Sequence, residues 1–480
     1  MSAQKLAGLQ PEGVFSWFEK ICAIPHGSGN TKAISDFLVD FAKERGLKYI
    51  QDSSNNVIIF KNGTLGLEDR PAVILQGHMD MVCEKDAGCP IDMDTEGLDV
   101  THDGEYVFAR GTTLGGDNGI AVAYALAILD SDKIAHPPLE VVITVDEEIG
   151  MLGAEAIDVS MLEGRTLLNL DSEEEGIFTV SCAGGATATI TLPAPRRAVY
   201  GPCIRLQVDG LQGGHSGVEI HKNRANANKV MGELLSRIQA LMPLCMTAFS
   251  GGSKDNAIPR SCQTTLVAMG MHLERINDIV EQLQKEVREN YDEPDVVITA
   301  DDVDALGGNA LSTQDTAKVI ALLCATPNGV QAMSRDIEGL VQTSLNLGIA
   351  KLDEEMKLTF SVRSSVNEEK QALLKQLCSL AEFQGASYSQ MGEYPAWEYR
   401  KDSYLRDTMI RVYRDMFGAE PQVVAIHAGL ECGLLGEKLP GLDCVSIGPE
   451  MHDIHTSREK LGIASVERSW NFVLEILKAL

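Results

Sequence analysis

The sequence predicts an α/β protein: a mixed, largely parallel sheet with helices on both faces, interrupted by an inserted α+β domain. Two observations carry this prediction. Over the first third of the chain, apolar runs of strand length alternate with longer helical segments, the order expected of a sheet covered by helices. Beyond "VSCAGGATATITL" the texture changes to strands with polar alternation, each followed by an amphipathic helix, before the chain returns to its first pattern. A length of 480 residues exceeds one ordinary core and fits two domains.

Taken in order, "AVIL" reads as a strand, "GIAVAYALAILD" (119–130) as a buried helix, and "LEVVITV" (139–145) and "TLLNL" (166–170) as further strands. Three strand-then-helix units follow. "CIRLQVDGLQGG" precedes "NRANANKVMGELLSRIQALM", "CQTTLVAMGM" precedes "ERINDIVEQLQKEVREN", and "MKLTFSVRSS" precedes "NEEKQALLKQLCSLAEFQG". They place the inserted domain at residues 184–394, leaving 1–183 and 395–480 as one discontinuous domain. In the returning part, "YLRDTMIRVYRDMFG" is helical, "GLDCVSIG" (441–448) is a strand and "SVERSWNFVLEILKAL" is an amphipathic helix. No low-complexity segment or solenoid repeat is visible.

Hydrophobic residues at 44% beside 23% charged ones describe a folded globular chain. A net charge of −28 argues against nucleic acid or an anionic membrane as partner, because both attract clustered Lys and Arg. There is no 18-residue apolar run, and "MSAQKLAGLQPEGVFSWFEK" lacks the apolar core of a signal peptide, so the expected location is cytoplasmic. Eleven cysteines without a C-x-x-C pair point to reduced, mostly buried thiols rather than a thiolate zinc site.

In α/β sheets ligands bind beyond the carboxyl ends of the strands. Acids and histidines gather at those positions here. "QGHMDMV" places His78 and Asp80 two residues apart at a strand end, where their side chains point the same way. That is the pattern of a metal ligand and the carboxylate that orients its ring, although a surface His–Asp pair looks the same. "GTTLGGDNGIAVA" puts Asp117 in a glycine-rich turn before a helix, where it can cap the helix and also face a cleft. "VVITVDEEIGMLGA" ends a strand with Asp146, Glu147 and Glu148, "LLNLDSEEEG" ends another with Asp171, and "SIGPEMHDIHTSREK" carries His452 and His455. Each alone reads as a solvated turn, a cap or an exposed acid. Jointly, imidazole and carboxylate without thiolate suit zinc, or cobalt or manganese, in a hydrolytic site. Three carboxylates and two imidazoles exceed what one tetrahedral zinc needs, and two metals sharing a bridging carboxylate would use all five, at the spacing of about 3.5–4 Å typical of two-metal hydrolases.

H-x-D after a strand, G-T-T-x-G-x-D-x-G, D-E-E-x-G, a further N-L-D and a late H-T-S-R-E resemble the M20 family of metallopeptidases across the whole chain. "GTTLGGDNGIAVA" and "GLQGGHSGVEIHKNRANANK" are most similar to its aminoacyl-histidine dipeptidases, the bacterial carnosinase type. The resemblance implies a catalytic domain holding two zinc ions, an inserted lid domain and a homodimer. It implies that His78 and Asp171 bind one metal, that Glu148 and His455 bind the other, and that Asp117 bridges them. Asp80 would orient His78, and Glu147 would be the general base, taking the proton of a metal-bridging water and passing it to the leaving amine. The family often has H-S-P-[DE]-E where this chain has "HTSRE", so His452 is the alternative to His455.

By the same resemblance, His215 in "GGHSG" stabilises the oxyanion, reaching it from the lid or from a partner subunit. Arg363 in "TFSVRSS" and Asn256 in "KDNAIPR" are candidates for the substrate carboxylate, with structural roles equally open. In "IHAGLECG", Gly429 would allow close approach of substrate to backbone, and Glu431 would reach its amino end. The expected activity is a zinc-dependent dipeptidase acting on Xaa-His, of the β-Ala-His type, and on related unblocked dipeptides. The same machinery would serve an N-acyl amino acid deacylase or a tripeptide aminopeptidase. A non-catalytic metal-binding protein would have no need of Glu147, and a two-metal phosphoesterase would show a cationic phosphate clamp that "GGDNG" does not supply.

Overall fold

The computed structural model describes residues 5–268 and 273–480. The end of the run "CQTTLVAMGM" therefore lies outside the described residues. The chain forms two units: Met1–Ser181 with Tyr399–Ala425 and Leu430–Leu480, and Cys182–Glu398 with Ile426–Gly429.

The first unit is built on an eight-stranded sheet whose middle runs Leu139–Thr144, Val73–His78, Thr166–Asn169 and Asp443–Ser446. These four strands are parallel, so their carboxyl ends share one edge. Val57–Lys61 joins the Leu139–Thr144 side antiparallel and Lys48–Gln51 joins it in turn. Every residue of Val73–His78, Leu139–Thr144 and Asp443–Ser446 is buried, as expected of parallel strands covered on both faces. The covering helices follow from their sequences. Gly116–Leu129 is apolar all round and buries every residue but Asp117, while Ile463–Ala479 is amphipathic and buries one face. Tyr124 Oη donates to the Val466 carbonyl at 2.9 Å and ties these two helices together. Tyr404–Phe417 begins where Ser403 Oγ accepts from Arg406 N and stops at Gly418, whose φ of 66° leaves the helical region.

The second unit has a topology that its sequence does not display. Gly184–Pro193, helix Thr313–Ala325, Val341–Leu352, Glu355–Ser364, helix Asn367–Phe383 and Ser387–Tyr394 form a strand–helix–strand–strand–helix–strand set. Between its first two members lies a second such set: Arg196–Asp209, helix Ala227–Gln239, Leu244–Gly251, Cys262–Ala268, helix Leu273–Tyr291 and Val297–Leu311. In both sets the strands lie in the order fourth, first, third, second. The two second strands meet antiparallel, with Ser250 opposite Lys351 and Gly251 opposite Ala350. The unit is therefore a duplicated α+β fold sharing one sheet. Leu234, Leu266, Leu323, Leu345, Phe360 and Leu377 belong to a single buried cluster that spans both halves.

Candidate metal centre

The parallel strands deliver the predicted acids and histidines to one place. His78 pairs with Thr144 in register, and Gln76 with Asn169, so the segments after these strands leave the sheet side by side. His78 Nε2 lies 3.2 Å from Asp117 Oδ1 and 3.4 Å from Asp171 Oδ1. His455 Nε2 lies 3.1 Å from Asp117 Oδ2 and 3.0 Å from Glu148 Oε2. Asp117 thus turns one oxygen to each histidine. His452 stands apart: it is exposed, with Nε2 3.7 Å from Glu450 and its ring against Tyr106.

The donor set fits a divalent cation. One ligand atom from each of His78, Asp117 and Glu148 lies within 4.8 Å of the others, and Glu148 Oε1 is buried with no hydrogen-bond partner. Asp171 extends this cluster on the His78 side and His455 on the Glu148 side, which gives two adjacent ligand groups around Asp117. All donors are nitrogen or oxygen, the chemistry suited to zinc, cobalt or manganese.

Asp80 holds more than a ring. Its Oδ1 is 3.4 Å from His78 Nδ1 and accepts from Glu147 N at 3.1 Å, while Oδ2 accepts from Ser28 Oγ at 2.8 Å and from Glu148 N at 3.4 Å. His78 Nδ1 is closer still to the Asp80 carbonyl, at 3.0 Å, so Asp80 holds the imidazole chiefly through its backbone while its carboxylate holds the turn that carries both glutamates. That turn begins at Asp146, whose φ of 54° is in the left-handed region, and His455 sits at 58°. Such backbone is uncommon for residues with a Cβ and tends to occur where a site demands it. Gly77 is required for a different reason. A Cβ there would lie 2.4 Å from Asn118 Oδ1, the atom that accepts from His78 N at 3.2 Å.

Asp117 does not cap its helix, contrary to one expectation, because no side-chain cap bond forms there. Glu459 takes that role. Its Oε2 accepts from Leu114 N and Gly115 N at 2.7 and 3.1 Å, and Oε1 from Gly116 N and Asp117 N at 2.8 and 3.3 Å, so it clamps the loop that presents Asp117. Glu459 closes the motif "HTSRE", the one signal that points to it. Glu431, expected at the substrate's amino end, is instead completely buried: Oε2 accepts from Gln76 Nε2 at 2.6 Å and Thr144 Oγ1 at 2.7 Å, beneath the strand ends.

Charge crowding sets the proton affinities. Burial would hold Asp117 high, but hydrogen bonds from His455 and His78 bring it well below the usual carboxylate range. Hydrogen bonds to Asp117 and Glu148 raise His455 to about 10. Burial, opposed by His78, lifts Asp171 to about 6. Burial, with Asp171, Glu431 and Glu148 nearby, lifts Glu147 to about 9. Perturbations of this size concentrate at functional sites.

The second unit holds the remaining candidates. His215 Nδ1 accepts from Gly217 N at 3.1 Å and Val218 N at 3.3 Å, which places the proton of the neutral ring on Nε2. Residues Gly214 and His215 form a short ladder with Ile258 and Ala257, beside the exposed Asn256. Arg363 is half-buried, with Nη1 donating to Tyr394 Oη at 3.2 Å. Gly429 ends the stretch Ile426–Gly429, which also contributes His427. His427 is buried, its Nε2 is 2.7 Å from Ser344 Oγ, and burial together with Arg363 lowers its pKa to about 4.

His427 gives a pH prediction. Its folded pKa of about 4 lies below the ordinary value of 6.5, so folding favours the neutral ring. This stabilisation is present above pH 6.5 and is lost as pH falls through 4. Between pH 7 and pH 5 the loss is about 2 kcal/mol. Urea unfolding of His427→Asn should show a correspondingly weaker decline over that interval. An unchanged slope would mean that the ring is not held neutral.

The profile of peptidase family M20/M25/M40 matches residues 74–479 of this chain. The cytosol non-specific dipeptidase of Escherichia coli (strain K12) is 37% identical over 479 residues, covering 99% of both chains. The crystal structure of aminoacylhistidine dipeptidase from Vibrio alginolyticus superposes with a TM-score of 0.93 at 37% identity, over 99% of this chain and 98% of that one. An aminopeptidase from Bacillus cereus ATCC 10987 shares the fold alone, at a TM-score of 0.56 and 15% identity over 98% of this chain and 99% of its own.

Proposed function

Because this chain belongs to peptidase family M20/M25/M40 and is therefore a peptide-bond hydrolase, we propose that it is a dipeptidase working with two zinc ions in the cytoplasm, on Xaa-His and related unblocked dipeptides. The observation that carries the reading is Asp117, which offers Oδ1 toward His78 and Oδ2 toward His455, the arrangement of a bridging carboxylate. Cobalt or manganese would suit the same donors. The substrate class rests on two relatives of near-full coverage, one named a non-specific dipeptidase and one an aminoacylhistidine dipeptidase.

In this reading His78 and Asp171 hold one ion, Glu148 and His455 the other, and Asp117 both. When bound, the ions would polarise the scissile carbonyl and lower the pKa of the attacking water. The chain's own residues do the rest. Glu147, beside Glu148 yet free of the pairings that join Glu148 to His455, takes the proton from water and delivers it to the leaving amine. Asp80 fixes the turn so that the two glutamates keep different tasks. His215 presents Nε2–H as a donor to the developing oxyanion. Arg363 and Asn256 receive the substrate's carboxylate, and Gly429 leaves room for its backbone.

The test is hydrolysis of β-Ala-His, Ala-His and N-acetyl-Ala-His by the zinc-loaded protein. Cleavage of the two free dipeptides and not of the acetylated compound is the expected result. Cleavage of the acetylated compound alone would replace the dipeptidase reading with a deacylase.

A further inference from the structure

Four positions line up across the sheet of the second unit. Register places Ser344 opposite Arg363, Arg363 opposite Gly185, and Gly185 opposite Tyr394. Directly opposed residues on neighbouring strands point to the same face, so Ser344, Arg363 and Tyr394 share one side of the sheet with a gap at Gly185. The tyrosine fills that gap. A Cβ on Gly185 would stand 2.6 Å from Tyr394 Oη and 2.7 Å from the ring carbon that bears it. Only a residue without a side chain lets the phenol lie across the strand and reach the guanidinium beyond, where Oη accepts from Arg363 Nη1 at 3.2 Å. On the other flank, Ser344 Oγ bonds His427 Nε2 at 2.7 Å. Arg363 thus has the tyrosine on one side and Ser344, which carries the histidine, on the other.

One buried donor atom of Arg363 has no partner. Nε is shielded from solvent and has no hydrogen-bond partner, a condition that is rare for a buried polar atom. An anion brought to the guanidinium would supply that acceptor. An arginine pairs best with a carboxylate through two parallel N–H bonds, which demands that the planar fork be held in one orientation. A ring lying on a sheet glycine is also a common packing device and would account for the aromatic group alone. It does not account for the hydroxyl.

We infer that Tyr394, lying across Gly185, is a positioning residue that fixes the Arg363 guanidinium for the substrate's α-carboxylate and thereby makes a free C-terminus a specificity determinant. The inference rests on the dipeptidase reading above. Burial keeps the His427 ring neutral at physiological pH, so Arg363 has no protonated imidazole on that side. Tyr394 acts through Arg363 and need not touch the substrate.

The experiment compares Ala-His with its C-terminal amide, using the zinc-loaded protein and its Tyr394→Phe and Arg363→Ala variants. Tyr394→Phe keeps the ring on Gly185 and removes only the hydroxyl, so its thermal unfolding should match the parent. For the free acid, KM is expected to rise about tenfold with kcat within about twofold, the size of one hydrogen bond to a charged group. KM for the amide should not move, so the preference for the free acid shrinks. Equal changes for acid and amide, or none for either, would overturn the role given to Tyr394. Persistence of the full preference in Arg363→Ala would overturn the placement of the carboxylate on Arg363, and the inference with it. Failure of the parent protein to cleave any free dipeptide is a separate result, which removes the dipeptidase reading itself.

Discussion

Glu147→Gln is expected to lower kcat by about 10³-fold while the protein keeps its full metal content, since general acid–base catalysis contributes about 10²–10⁴. The two glutamates of one turn differ in what they touch. Glu148 Oε2 is 3.0 Å from His455 and its Oε1 lies buried without a partner, the state of a ligand. Glu147 has no part in that pairing with His455, and its backbone N–H is held by Asp80 Oδ1 at 3.1 Å. Glutamine is nearly isosteric and preserves the backbone bond from residue 147 to Asp80, so the turn survives. Metal analysis and steady-state kinetics on Ala-His check this together. A variant with parental kcat would remove Glu147 from the mechanism, and one with depleted metal would exchange the roles of the two glutamates.

Chelation should have the second large effect, on stability as well as activity. Asp80, Asp117, Glu148 and Asp171 are gathered around His78 and His455, and two cations would offset that concentration of acid. Anything that binds the folded chain alone stabilises it by mass action, about 4 kcal/mol at a thousandfold excess over Kd. Returning zinc to the chelated protein is therefore expected to raise its unfolding temperature and restore turnover. Asp117→Asn should forfeit most of both, because an amide offers one neutral oxygen where the carboxylate offers two charged ones. If Asp117→Asn binds two zinc equivalents with the parental thermal gain, the bridging role is refuted.

Much of this site is legible in the amino-acid order itself. His78, Asp117, Glu148, Asp171 and His455 stand out because each follows an apolar strand or opens a helix, and a parallel sheet must deliver its strand ends to one edge. Glu459 does not, although it closes a motif that does. Its function lies in four backbone N–H groups more than 340 residues earlier in the chain, and no local pattern encodes such a partner. Glu431 escapes a sequence reading for the same reason: it opens a helix, and its partners Gln76 and Thr144 come from two strands far away in the chain.

The second unit draws the line most sharply. Three strand-then-helix units are visible as alternating and amphipathic segments, yet the structure holds two interlocked strand–helix–strand–strand–helix–strand sets, one inserted in the other. Periodicity reports which face of an element is apolar, and it carries no information on which strand lies beside which. The α/β class, the acids and histidines at the strand ends, and the family to which they point are all written in the linear order of residues. Pairing and distance come from the folded chain: the split of Asp117 between two histidines, the grip of Asp80 on the glutamate turn, and the row from Ser344 through Arg363 and Gly185 to Tyr394. These depend on register between segments far apart in the chain, and register is set only when the strands pack.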